Sequence, residues 1–190
     1  MLGHEWAERG LTTGARAWAP WLDRHRDRLP ARLDLAAVAA RLRRSAGSRR
    51  RRVVLDPGRL AELAGEASVR PEAPLSADAA DLGRRVAAAL KLRVPPGPER
   101  ARLLAGALRP RLATHPGPPP TLPLGHQAWV RRRAAELREA LLAAGYPVVG
   151  DLDVLTEPAP DGVLPGAERT LALAVAILAA GPGHPEEAHS

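Results

Sequence analysis

What this chain can fold into is limited first by how few large apolar side chains it has to bury. There is no Phe, one Tyr (Tyr146), one Met (Met1) and four Trp, and alanine makes up much of the remaining apolar share, which totals 45%. Burial contributes roughly 25 cal/mol per Å² of apolar surface, so an alanine contact stabilises far less than a leucine or phenylalanine contact. The apolar total still argues against wholesale disorder. The expectation is a thin core that leans on some further surface for cover. At 190 residues the length fits one domain of ordinary size.

Apolar spacing assigns most of the chain to helices. Residues 15–29 read as a helix with Trp18, Trp21, Leu22 and His25 on one side and Arg24, Arg26 and Arg28 on the other, bent at Pro20 and closed by Pro30. Residues 33–43 form a second, with Leu35, Val38 and Leu42 as its inner stripe. Val53, Val54 and Leu55 are the best strand candidate, β-branched and ended by Asp56, Pro57 and Gly58. Asp56 is placed to cap a short helix over 57–65, with Pro57 at its first position. A strand running into a capped helix is the unit of α/β folds.

After a loop over 66–75, Ser76 caps a helix over 77–90 whose Leu82, Val86 and Leu90 share a face. Pro95, Pro96 and Pro98 precede a helix over 99–113, and 114–123 is an extended proline-rich linker. The strongest helix spans 125–144, striped by Val130, Ala134, Leu137 and Leu141 beside Trp129 and stopped by Gly145. Residues 146–150 form a short extended piece and 151–155 a turn of helix. The last helix, 167–180, is nearly all apolar. Leu171, Leu173, Val175, Ile177 and Leu178 cannot share one side, since successive residues turn by about 100°. It must therefore be covered on most of its circumference. The expected fold is mainly α with one or two short β-strands: a single domain over 1–181, with 114–123 as a candidate internal boundary and 182–190 as a disordered tail.

The formal charge of +7 and the pI near 11.3 point first to an anionic partner, nucleic acid or a membrane surface. A compositional reading competes. Lys91 is the only lysine among 28 Lys and Arg, a bias that goes with abundant Ala, Pro and Gly in a GC-rich genome, and the arginines can pair with 21 Asp and Glu along helix faces. The densest charge run is Arg49, Arg50, Arg51 and Arg52, a candidate anion or nucleic-acid patch. It stands directly before the strand candidate, where charges serve as solubilising gatekeepers, and that reading is favoured. No aromatics are interleaved with it, which argues against base stacking.

Without cysteine there is no disulfide framework, thiolate nucleophile or Cys-based zinc site. The N-terminus has no basic segment followed by an apolar run, so it is not a signal peptide. The longest apolar stretch, 171–180, is ten residues where a membrane span needs about 20. The chain is expected to be soluble and cytoplasmic, with no membrane partner.

Phosphate-binding patterns of the GxxxxGK[ST] and GxGxxG types are absent. Gly10, Leu11, Thr12, Thr13 and Gly14 make a small polar stretch, but no strand precedes it to fix a phosphate cradle. The six histidines include no HxxxH or HExxH pair for zinc, and His126, opening the strongest helix, fits a surface or capping role. Asp151 and Asp153 could hold a cation on an extended chain. In a helical turn Asp151 becomes an N-cap instead, and the cap is favoured. No catalytic or metal residue is assigned on these grounds.

Two segments carry a family resemblance. LSADAADLGRRV (75–86) and LPLGHQAWVRRRAAELREALLAAGYPVVGDLDVL (122–155) resemble C-terminal segments of P-loop sulfotransferase-like proteins from actinobacteria, where a Trp-led amphipathic helix ends in a GY-x-V-x-GDLD turn. Arg9 to Thr13 and the 33–43 helix leading to Val53, Val54 and Leu55 fit the front of that region loosely. The GDLD turn is its most specific part. Ala87 stands where the resemblance would place Asn after Arg-Arg-Val. In such enzymes an N-terminal strand-loop-helix binds the phosphosulfate end of 3′-phosphoadenosine 5′-phosphosulfate, and an Arg and a Ser further on hold the 3′-phosphate. The resemblance implies a chain that begins after those elements, similar to the C-terminal part of an α/β P-loop sulfotransferase-like fold. No cofactor residue carries over and no cofactor is expected. The implied function is a non-catalytic or truncated sulfotransferase-like protein, partnered by a separate P-loop-bearing chain or by self-association through the C-terminal helix. The alternative is a basic helical nucleic-acid-binding or regulatory protein.

Overall fold

The computed structural model of the chain describes residues 2–45, 53–54, 74–156 and 161–181. Helix forms almost wherever apolar periodicity is present: α1 (Leu2–Thr13), α2 (Trp18–Arg24), α3 (Leu35–Ser45), α4 (Ala77–Lys91), α5 (Pro98–Ala101), α6 (Arg109–Ala113), α7 (Leu124–Ala143) and α8 (Ala167–Ala179). Between α5 and α6 the helix continues in π form over Arg102–Leu108, and Leu152–Leu155 is a 3₁₀ turn. The strands β1 (Val53–Val54) and β2 (Val148–Val149) pair in parallel, Val53 opposite Val148 and Val54 opposite Val149. The fold is mainly α with one small sheet, as the sequence leads one to expect. The 57–65 helix, the Arg49 to Arg52 run and the 182–190 tail fall outside the described residues.

One unassigned stretch gains a structure, and one reading needs correction. Residues 10–13, the small polar stretch, form the last turn of α1. The Thr12 and Thr13 hydroxyls donate back to the carbonyls of Glu8 and Arg9 at 3.0 and 2.8 Å, and Gly14, at φ +64°, ends the helix in the left-handed region that favours glycine. Pro20 does not bend a long helix. It sits in the first turn of the seven-residue α2, where a missing N–H leaves no intrahelical bond unmade.

The described chain forms two compact units. The first comprises Met1–Trp21, Pro74–Thr121 and Asp161–Ser190. Its main contact is α1 along α4, and small residues make it close. A Cβ on Gly10 would lie 3.1 Å from Cβ of Arg84, and one on Gly83 would lie 2.7 Å from Leu11 Cδ2. Ala77, Ala79, Ala80 and Ala87 are buried on α4. The alanine and glycine that make a poor apolar payload thus let helix backbones approach, and dispersion contacts rise as they do. Bulk comes from three tryptophans. The Trp6 and Trp18 rings are 5.2 Å apart and those of Trp18 and Trp21 5.7 Å. The indole N–H of Trp6 donates to the Arg16 carbonyl at 2.9 Å and that of Trp18 to the Thr121 carbonyl at 2.7 Å, so these rings are buried without stranding a donor. The proline-rich stretch is anchored too: Thr121 N donates to Val163 O, and Val163 N to Pro119 O, each at 3.0 Å.

The second unit comprises Leu22–Ala73 and Leu122–Pro160. Asp34 caps α3, accepting from Ala37 N at 3.0 Å, and α3 packs on α7. Trp129 and Leu141 are the buried residues of α7, while Val130, Ala134 and Leu137 are half-buried along the expected stripe. Gly145 closes α7 at φ +64°. Asp151 then caps the 3₁₀ turn, accepting from Asp153 N at 2.8 Å. Asp153 in turn accepts from Arg138 at 2.8 Å, and that hydrogen bond holds the Arg138 guanidinium above arginine's ordinary range.

Candidate functional site

Helix α8 shows how an apolar segment can be only half covered. Its N-cap, Gly166, has no capping side chain, and α4 supplies the missing acceptor. Asp78 accepts from Gly166 N at 2.9 Å and from Arg169 Nε at 2.8 Å, placing a carboxylate at the positive end of the helix. From there α8 lies along α4. Thr170 is buried and Leu173, Ala174 and Ile177 are half-buried, at spacings of three, one and three, which is one side of a helix. The opposite side is open: Leu171 is 65% exposed, Val175 57% and Leu178 79%. Cover on most of the circumference, expected from the sequence, is therefore not what α8 receives. Between Arg169 and Gly181 there is no charged residue, and Ala172, Ala176 and Ala179 fill the gaps in this outer stripe.

A second feature lies between α1 and the continuous helix over 98–113. There a cleft of about 190 Å³ is lined by Glu8, Leu11, Thr12, Arg100, Leu104 and Arg109, with small alanines completing the wall. Its shape follows from the π segment. The backbone N–H of Arg109 donates to the Leu104 carbonyl, five residues back, so each residue there turns through a smaller angle than in an α-helix. In an α-helix at about 100° per residue, Arg100 and Arg109 would lie on opposite sides; the wider winding brings both to the same cleft. Arg109, 9% exposed, donates to Glu8 Oε1 through Nη2 at 3.0 Å and Nε at 3.3 Å. Arg100 has its Nη1 enclosed and, among the described residues, no hydrogen-bond partner for it. The charges on the wall sum to one positive. Sequence reading missed this site, because a change of hydrogen-bond register leaves no mark on apolar periodicity.

The residues singled out from the sequence do not converge. Arg49, Arg50, Arg51 and Arg52 lie outside the described residues. His126 does not cap α7, which has no capping side chain; its Nε2 lies 2.9 Å from Asp23 Oδ1 near the end of α2. Asp151 is a cap, which leaves Asp151 and Asp153 apart in role. Among the described residues no three His, Asp or Glu gather as a metal site, and no helix is long and apolar enough to cross a membrane. Comparison with family models, with curated proteins and with solved structures finds no match to this chain.

Proposed function

We propose that the chain is a non-catalytic, sulfotransferase-like protein that works by association, one copy packing against a second through the outer face of α8. The observation that carries the association is the uncharged stripe of Leu171, Val175 and Leu178. The sulfotransferase-like part rests on the segments 75–86 and 122–155, and the non-catalytic part on the absence of a phosphate-loop pattern from the sequence.

A second copy fits this face for two reasons. On a chain of charge +7, a face without charge is where two copies meet without like-charge repulsion. The alanines between the large residues let two such helices approach closely, and a two-fold arrangement needs only one self-complementary patch. The 13 residues of α8 make a contact about 20 Å long. Covering the three large side chains on each of the two copies contributes roughly 1.5–2 kcal/mol per side chain, about 9–12 kcal/mol in all. Association costs at least about 4 kcal/mol in lost freedom, so a dimer closed by this stripe alone has a Kd in the micromolar to millimolar range.

Light scattering or sedimentation at rising concentration tests the reading. Dimers are expected to appear at tens to hundreds of micromolar, and Val175→Asp is expected to abolish them with the helical circular dichroism unchanged, since Val175 is exposed. A chain that stays monomeric throughout, or a Val175→Asp variant that unfolds, overturns it. Calorimetric titration with 3′-phosphoadenosine 5′-phosphosulfate tests the other half. Binding no tighter than about millimolar is expected, and micromolar affinity would show a nucleotide site and end the non-catalytic reading.

A further inference from the structure

We infer that the cleft between α1 and the 98–113 helix binds a compact monoanion with an apolar body, a carboxylate of about the size of benzoate. Charge, volume and wall chemistry each narrow the class, and none of them involves the outer face of α8.

The charge comes first. Arg109 is already engaged by Glu8 at 3.0 Å, whereas Arg100, on the same wall, has no carboxylate partner among the described residues. A guanidinium without a carboxylate partner keeps its full charge, and an oxyanion brought to its accessible edge forms short, charge-assisted hydrogen bonds. With two arginines and one glutamate on the wall, the cleft has a single positive charge to neutralise. A dianion such as phosphate would set its second charge against Glu8, so the arrangement selects a monoanion.

Volume and lining supply the rest. A dry cavity of about 150 Å³ holds benzene, and this cleft of about 190 Å³ leaves room for a carboxylate beside a ring or a branched chain of that size. Leu11 and Leu104 are themselves buried and form a fixed apolar wall, while Ala101 and Ala105 keep the space open. Inorganic anions gain nothing from such a wall; an aryl or branched-alkyl carboxylate gains from both parts at once.

The test uses the full chain, labelled with ¹⁵N and titrated separately with sodium benzoate, benzyl alcohol and inorganic phosphate. Benzoate is expected to saturate with a Kd of about 1 mM or tighter, shifting amides at 8–12 and 100–109. Benzyl alcohol, which keeps the ring and loses the charge, and phosphate, which keeps charge and loses the ring, are each expected to bind at least about tenfold more weakly. Arg100→Ala should reduce benzoate affinity by about tenfold or more. Ala105→Trp, at an exposed position on the rim, should block the cleft with the fold intact. Equal affinity for benzoate and benzyl alcohol, phosphate binding as tight as benzoate, or an Arg100→Ala variant that binds as before overturns the inference.

Discussion

Asp81 shows what a single residue can demand of this fold. It is 4% exposed, in the second turn of α4, and both its oxygens are occupied: Arg84 Nη2 reaches Oδ1 at 2.7 Å and Arg85 Nε reaches Oδ2 at 2.7 Å. Charge-assisted bonds to both oxygens are what allow a carboxylate to stay buried. In the sequence Asp81 is only one letter of the LSADAADLGRRV segment. Acid and base three and four apart on a helix are ordinarily a surface feature, so nothing short of the packed structure distinguishes it. The partners differ in a way that makes a test. The Arg84 side chain is 15% exposed and that of Arg85 52%. Asp81→Ala is expected to lower the unfolding free energy by about 2–3 kcal/mol, because it strands the enclosed Arg84. Arg85→Ala, which removes a solvated partner, should cost less than about 1 kcal/mol. Urea melts of the two variants decide it: equal losses would mean that enclosure of Arg84 is not what makes the pair matter.

At the scale of elements, the helices over 33–43, 77–90 and 125–144 were legible because each writes its inner stripe in Leu, Val and Ala at helical spacing. The Val53–Val54 strand was legible from β-branching and its Asp-Pro-Gly stop. Helix α1 was not, because part of its buried side is Gly10, whose role appears only once Arg84 lies against it. The π segment left no trace either, and with it the meeting of Arg100 and Arg109 stayed hidden. For α8 the composition was legible and the coverage was not. Glycines separate close packing from mere tolerance. At Gly83 an added Cβ meets Leu11 Cδ2 at 2.7 Å and Leu112 Cδ1 at 3.0 Å, side chains held in the core. At Gly106 the nearest neighbour is Arg102 Cγ at 3.8 Å, an ordinary contact. Gly83→Ala should therefore destabilise by about 1–3 kcal/mol through overpacking, whereas Gly106→Ala should be neutral or stabilise by up to about 1 kcal/mol. Thermal melts with the two changes moving Tm in the same direction would contradict this account of α1 on α4.

The charge of the whole molecule is the property most easily over-read from the sequence. A pI near 11.3 invites a nucleic-acid reading. In the folded chain many arginines are already committed: Arg9 to Glu5, Arg84 and Arg85 to Asp81, Arg109 to Glu8, Arg133 to Glu136, Arg138 to Asp153 and Arg169 to Asp78. Each already shares its charge with a carboxylate, which weakens its net attraction for a phosphate. The other exposed arginines, among them Arg26 and Arg28 after α2, Arg93 after α4, Arg111 on α6 and Arg131 and Arg132 on α7, come from several separate elements, and no single run of them approaches the roughly six to ten phosphate contacts that give tight complexes their steep salt dependence. Duplex DNA is thus expected to bind only through diffuse attraction, with a Kd on the order of 10⁻⁴–10⁻⁶ M at physiological salt and no preference among sequences. Fluorescence anisotropy with two unrelated duplexes, each at three salt concentrations, measures both properties. Superimposable curves that weaken together as salt rises are the expected result. A nanomolar complex with one duplex and not the other, persisting at physiological salt, would instead establish a base-reading surface, and the charge would have to be assigned to function rather than composition.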